Sequence, residues 1–175
     1  TSATITLDDL KAERTKSYEI GTKWDLAEGA LSLTAALFRT ETKNARITNA
    51  QGYLEYVGHR RVQGVELSAT GRPLPFWNLY AGYTYMDSEL VSAGANATAA
   101  TLAGVGKPFP NTPKHSFVAQ TDFTFAERFT LGGGVIHNSR QYGSFGTGNV
   151  TRSIAPWWRV DLNASAKLTD NIELR

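Results

Sequence analysis

The chain has 175 residues, about the length of one domain, with 18 Lys or Arg against 16 Asp or Glu and a net charge of +2. It has no cysteine, which excludes a disulfide scaffold and any thiolate metal site, and so small a charge excess does not point to nucleic acid. Charged residues make up 19%, below the roughly 25% usual for soluble domains, and no apolar run approaches the roughly 20 residues of a transmembrane helix. Neither observation speaks against a membrane β-barrel, whose alternating strands keep average hydropathy low.

Period-two alternation dominates from residue 16 onward. Tyr18, Ile20, Thr22, Trp24 and Leu26 alternate with Ser17, Glu19, Gly21, Lys23 and Asp25, which predicts a strand over 16–26. Leu31, Leu33, Ala35 and Leu37 extend the pattern over 30–43, and Val65, Leu67 and Ala69 over 56–71. Segments 77–90, 114–125 and 129–143 repeat it. It is cleanest over 157–168, where Trp158, Val160, Leu162, Ala164, Ala166 and Leu168 face one way. Arg159, Asp161, Asn163, Ser165 and Lys167 face the other. An eighth strand starts at 172, and no convincing helix is present. The predicted class is all-β, with strands about twice the usual globular length. A strand of about 10 residues tilted near 40° spans roughly 25 Å, the height of an outer-membrane apolar band.

The connections divide into two kinds. Ala27-Glu28-Gly29, Pro73-Leu74-Pro75-Phe76, Ala126-Glu127-Arg128 and Thr169-Asp170-Asn171 read as tight turns. Between them fall long loops at about 44–55, 91–113 and 144–156. Strict alternation puts every tight turn at one end of the sheet, the asymmetry of short periplasmic turns and long extracellular loops.

A soluble β-sandwich would share the period, since its apolar face meets a second sheet. Aromatic placement discriminates. Trp24, Trp77, Phe125 and Phe129 lie low on the apolar face, and Tyr18, Tyr85, Phe117 and Trp158 lie high. Two girdles around an aliphatic band fit two membrane interfaces. With tight turns periplasmic, the strand over 16–26 descends, so residues 1–15 are expected as an extracellular loop or strand end and 16–175 as part of a barrel. A complete barrel is expected to begin and end in the periplasm, which predicts that the chain is a fragment whose last strand is truncated.

On the polar face Glu19, Lys23, Asp25, Glu66, Arg159, Asp161 and Lys167 would line a lumen. Taken singly, each is also what any solvated sheet face carries. His59, His115 and His137 fall on separate strands, and without an i, i+2 or i+4 pair they make no metal site. Gly104-Val105-Gly106-Lys107 mimics a phosphate loop, but Thr101 and Pro108 break its spacing. Gly132-Gly133-Gly134 lies within a strand, where small residues allow close approach or bending. No Ser, His and Asp cluster has a catalytic spacing, so no enzyme is expected.

Several segments resemble the TonB-dependent siderophore receptors of the Gram-negative outer membrane. They are Ser17-Tyr18-Glu19-Ile20-Gly21-Thr22-Lys23-Trp24, Leu33-Thr34-Ala35-Ala36-Leu37-Phe38-Arg39-Thr40 and Arg61-Val62-Gln63-Gly64-Val65-Glu66-Leu67. Tyr80-Ala81-Gly82-Tyr83-Thr84-Tyr85-Met86-Asp87-Ser88, Pro110-Asn111-Thr112-Pro113-Lys114-His115-Ser116 and Trp158-Arg159-Val160-Asp161-Leu162 follow in the family's order. Within the family the set is most similar to receptors for ferric catecholates; Ala12, where such receptors often carry Pro, is one small departure. The resemblance implies a fragment of an antiparallel transmembrane barrel of about 22 strands closed by an N-terminal plug. This chain would supply about eight of those strands, with the plug domain, the TonB-contacting box and the C-terminal strand absent. It further implies active import of a ferric siderophore, energised by TonB with ExbB and ExbD. The implied protein is a monomer in outer-membrane lipid, with no resident cofactor because iron arrives already chelated. The polar face as a whole would then meet the plug.

A ferric catecholate is a bulky anion with aromatic rings, so its capture needs cations and aromatic surfaces near the outer mouth. Candidates at the loop ends are Arg60, Lys107, Lys114, Arg140, Tyr142, Arg152 and Trp157, with Arg140, Tyr142 and Arg152 expected to bind ligand together. Two other classes stay open: a passive porin-like barrel without a plug, and a soluble β-sandwich binding module.

Overall fold

A computed structural model describes residues 11–48, 54–94, 97–143, 152–169 and 171–175. Eight strands form one antiparallel sheet in the order β1 (Arg14–Leu26), β2 (Leu31–Thr48), β3 (Leu54–Leu74), β4 (Trp77–Ala93), β5 (His115–Phe125), β6 (Phe129–Asn138), β9 (Trp157–Thr169) and β10 (Ile172–Leu174). A separate ribbon pairs β7 (Gln141–Tyr142) with β8 (Ser153–Ile154). The sheet is open, with β1 and β10 at its edges.

Two of the tight turns share one construction. Gly29 N–H donates to the Leu26 carbonyl at 3.1 Å, and Arg128 N–H to that of Phe125 at 3.1 Å. The central pairs Ala27-Glu28 and Ala126-Glu127 all have positive φ. A two-residue turn with both central φ positive twists in the same sense as the strands it joins, which offsets the steric cost to non-glycine residues.

Three expectations are corrected. Pairing of β2 with β3 runs to Thr48↔Leu54, so the loop expected at 44–55 is mostly strand, and only 49–53 falls outside the described residues. A short helix, α1 (Ala99–Ala103), lies within the 91–113 connection, where no helix was expected. The Thr98 side chain accepts from Thr101 N–H and caps it, a local start signal too short to register as amphipathic periodicity. The strand expected over 129–143 ends at Asn138, and residues 141–142 turn away to pair with β8. The 144–156 connection correspondingly contains β8, although 144–151 lies outside the described residues.

Registers sort the side chains onto two faces. One face carries cross-strand polar pairs: Ser17 with Thr40 at 3.0 Å, Thr34 with Ser68 at 2.6 Å, Ser116 with Asn138 at 2.7 Å, and Asn163 with Asp122 at 3.3 Å. Gly132 makes room for the last, because a Cβ there would fall 1.9 Å from Asp122 Oδ1. Gly64 is the closest approach to backbone on this face, where a Cβ would meet the Tyr85 carbonyl at 2.0 Å and the Phe38 ring at 2.9 Å. The other face is apolar and uncovered: Ile20 is 72% exposed, Val160 67% and Leu162 83%. Among the described residues no second sheet packs on it, unlike the inner face of a sandwich.

The described residues have almost no interior. Ala45 and Leu90 are fully buried, with Phe109 packed against them and Thr42, Ser88 and Thr101 nearly buried nearby. All lie at the loop end. There the 94–114 connection returns along the free upper edge of β4: Gly106 N–H donates to the Leu90 carbonyl at 2.9 Å, and Leu90 N–H to that of Lys107 at 3.2 Å. No helix among the described residues is long and apolar enough to cross a membrane, a fact that does not bear on strands.

Candidate functional site

The girdles expected on the apolar face are all on that face, and the registers order them further. The row through Trp24 runs Leu33, Ala69, Ala81, Ala119, Val135 and Val160. The girdle residue of β4, Trp77, stands four residues nearer the turn end than Ala81. Tyr18's row reaches Asp87 on β4, and the upper girdle residue Tyr85 stands two residues nearer the turn end. Both girdles therefore cross the hydrogen-bond rows obliquely in the same sense, as a horizontal interface must cross strands tilted by 35–45°. From Trp77 to Tyr85 the rise along such a strand gives a band of about 21 Å, against the roughly 25 Å of outer-membrane barrels.

Some girdle members were missed by sequence reasoning. Trp77 stacks on Phe123 with centroids 5.7 Å apart, and its Nε1 donates to Thr121 Oγ1 at 2.6 Å. At the upper interface the Tyr83 hydroxyl meets His115 Nδ1 at 2.8 Å, Tyr85 lies 5.3 Å from the His115 ring, and His137 stacks on Trp158 at 4.1 Å. The outward parity of the two histidines was legible; their use as interfacial rings was decided by cross-strand neighbours.

The polar-face charges lie where expected. Lys23 pairs with Asp25 at 3.3 Å and Arg159 with Asp161 at 2.8 Å, in the same two register rows at opposite sides of the sheet. Each pair is more than half exposed, so its net worth is small. Glu19 stands opposite Phe38, Glu66 opposite Ala36 and Thr84, and Lys167 opposite Glu173.

Candidate ligand residues separate into two groups. A cleft of about 370 Å³ at the loop end is lined by Lys114, Arg140 and Tyr142 together with Asp87, Glu89 and Ser88. Arg140 Nη1 donates to Ser153 Oγ at 3.1 Å, and Asn111 N–H to the Tyr142 carbonyl at 2.7 Å, tying β7 to the 104–114 segment. Lys114 Nζ lies 5.5 Å from the Tyr85 ring centre. Glu89 is held in an ion pair by Arg61, and Asp87 accepts from Gln63 at 3.4 Å, which tempers the acidic wall. Lys107 sits between the cleft residues Gly106 and Pro108 without lining it. Arg152 joins the ribbon through its carbonyl, which accepts from Gly143 N–H at 2.7 Å, and Trp157 pairs with Asn138 away from the cleft. Arg60 pairs with Glu13 at 3.9 Å. Asp87 and Glu89 were missed because their parity assigns them to the outer wall, and only the break after β6 opens a cleft beside them. Among the described residues no three His, Asp or Glu gather as a metal site.

Residues 1–175 match the family model described as TonB dependent receptor-like, beta-barrel. The chain belongs to this family. TonB-dependent receptor barrels are outer-membrane proteins of Gram-negative bacteria. The chain is 34% identical over 173 residues to the probable TonB-dependent receptor BfrD of Bordetella pertussis, covering 95% of this chain and 23% of that protein. It is 28% identical over 168 residues to the catecholate siderophore receptor Fiu of Escherichia coli K12, covering 95% of this chain and 21% of that protein. The crystal structure of the siderophore receptor PiuA from Acinetobacter baumannii superposes with a TM-score of 0.78 at 32% identity, covering 91% of this chain and 23% of that one. The chain thus spans less than a quarter of the length of these receptors, none of which is an enzyme by name.

Proposed function

We propose that the receptor containing this barrel segment imports a ferric siderophore of the catecholate class across the outer membrane, energised by TonB with ExbB and ExbD. In this reading the loop end is extracellular, the tight turns are periplasmic, and the cleft of Lys114, Arg140 and Tyr142 forms part of the outer binding surface. Lys107, Arg152 and Trp157 flank it. The observation that carries the reading is the cleft itself. Two cations and a phenol converge there, while Arg61 offsets one of the two lining carboxylates, Glu89. A ferric tris-catecholate carries several negative charges on aromatic rings, and Arg, Lys and Tyr answer both properties. The name of the Fiu relative, a catecholate siderophore receptor, supports the class. The mixed charges of the inner face, Glu19, Lys23, Asp25, Glu66, Arg159, Asp161 and Lys167, would contact a plug. Iron is cargo and no resident cofactor is proposed.

The test is equilibrium binding of ferric chelates to the full-length receptor, followed by quenching of its tryptophan fluorescence. A ferric tris-catecholate should bind in preference to a ferric hydroxamate. Arg140→Gln combined with Tyr142→Phe should weaken it at least about tenfold, the worth of one lost charge-assisted hydrogen bond. Unchanged affinity would overturn the cleft assignment, and preference for the hydroxamate would overturn the class.

A further inference from the structure

The outward face does not become neutral above the upper girdle. Along β1 the residues that follow Tyr18 toward the loop end on the same face are Lys16 and Arg14, and along β2 they are Arg39, Glu41 and Lys43. The registers pair Tyr18 with Arg39, Lys16 with Glu41, and Arg14 with Lys43, so the five side chains form one contiguous patch. Paired Cα atoms lie about 5 Å apart and successive same-face residues about 7 Å, which makes the patch the size of one lipid headgroup. Arg14, Lys16, Arg39 and Lys43 are exposed.

Four cations face one carboxylate, and that carboxylate is already engaged. Glu41 accepts from Arg39 Nε at 2.9 Å and lies 3.5 Å from His59 Nε2. Among the described residues Arg14, Lys16 and Lys43 have no acidic partner. The corresponding level of β3 and β4 is different, because there Asp87 and Glu89 face Gln63 and Arg61. Across these four strands the positive excess therefore lies on β1 and β2. Directly below it lie Tyr18 at 63% exposure, Ile20 at 72% and Leu37 at 56%.

A cationic patch stacked on an uncovered apolar wall is complementary to an amphiphile with a phosphate at the head and acyl chains beneath. We propose that Arg14, Lys16, Arg39 and Lys43 dock the phosphorylated headgroup of an outer-leaflet lipid, its chains lying along Tyr18, Ile20 and Leu37. The assignment to the outer leaflet rests on the orientation given above; the chemistry of the patch does not. A phosphate held by two or three such side chains makes charge-assisted hydrogen bonds at the edge of a low-dielectric layer, where they are least screened.

Native mass spectrometry of the full-length receptor, titrated with bisphosphorylated lipid A, tests this. One retained lipid is expected, with apparent affinity at least tenfold above that for a dephosphorylated lipid A or for phosphatidylcholine. K16Q/K43Q should reduce the retained population several-fold and R14Q/K16Q/R39Q/K43Q should abolish the preference. R72Q/R128Q, which removes two cations at the turn end, should leave it intact. Equal retention of phosphorylated and phosphate-free lipid would overturn the proposal, and so would full retention by the quadruple variant. Heat-modifiable migration of each variant establishes that its barrel has formed, and the double variant decides the matter if the quadruple one does not fold. Ferric chelate binding by the same variants should be unchanged, so failure of the lipid site and failure of the siderophore reading are read separately.

Discussion

Between the tight turns and the Tyr18–Trp158 girdle the sheet is one layer thick, and its most exposed apolar side chain, Leu162, is 83% accessible. Above that girdle, residues 104–114 fold back onto β4, where Leu90 and Ala45 are completely buried with Phe109 packed against them. Among the described residues nothing covers the apolar face of the first region, and its polar face is tied by cross-strand hydroxyl and amide pairs. The second has a small interior of its own, closed by backbone hydrogen bonds to Leu90. On the proposed reading one sheet depends on two solvents: the bilayer would decide the stability of the band, and loop docking the shape of the mouth.

The sharpest way to break this contrast is a charge on the lipid wall. Leu162→Arg should cost about 2–4 kcal/mol of folding free energy in phospholipid vesicles, as charges at the midplane of a barrel do. Asn163→Arg, one residue along and on the opposite face, should cost far less because Asp122 stands beside it. Equal costs would mean that the two faces are not divided between lipid and lumen. At the mouth, Leu90→Ala should remove about 2 kcal/mol locally, the low end for a buried leucine because the loop can settle into the space. Limited proteolysis should then cut within 94–114 while the barrel's vesicle-folding midpoint stays put; a shift of the whole transition would show one cooperative unit instead of two.

The smallest effect concerns pH at the outer wall. The Arg39 guanidinium, chiefly by hydrogen bonding, holds the Glu41 carboxyl below its ordinary range, with His59 adding a little. A carboxylate whose folded pKa is depressed adds stability above its unfolded pKa, and that stability is lost as pH falls through the folded value. Melting temperatures of the native receptor and Glu41→Gln should therefore differ by a constant, small amount from neutrality down to the ordinary carboxylate range and converge only at more acid pH. A difference growing toward neutral pH would show that Glu41 is not the controlling group.

Much of this architecture was legible because strand faces are a local property. Tyr18, Ile20, Thr22, Trp24 and Leu26 read outward without any knowledge of their neighbours, and tight turns of Ala-Glu type mark where the chain reverses. The lumenal residues from Glu19 to Lys167 follow from the same parity. Elsewhere parity misled or was silent. The strand expected over 129–143 ends at Asn138 because residues 141–142 find a partner in β8, which no local pattern announces. Asp87 and Glu89 have outward parity yet line the cleft with Arg140, since β4 continues past the last pair with β5 at Tyr85↔His115. Arg152 and Trp157, grouped with Arg140 by loop position, do not line the cleft: Arg152 joins the ribbon by its backbone and Trp157 pairs with Asn138 of β6.

By itself the sequence determined the all-β class, the division of each strand into an apolar and a polar face, and the family that its segments resemble, because alternation and composition need only adjacent residues. Tertiary structure alone decided which strand rows align: that the girdles step across the registers, that Glu41 is engaged by Arg39 and His59 while Lys16 and Lys43 go uncompensated, and that Leu90 becomes an interior. Those outcomes depend on offsets between strands, which are set by bulges at sites such as Gly58 and Gly71 and by the docking of a connection far away in the chain.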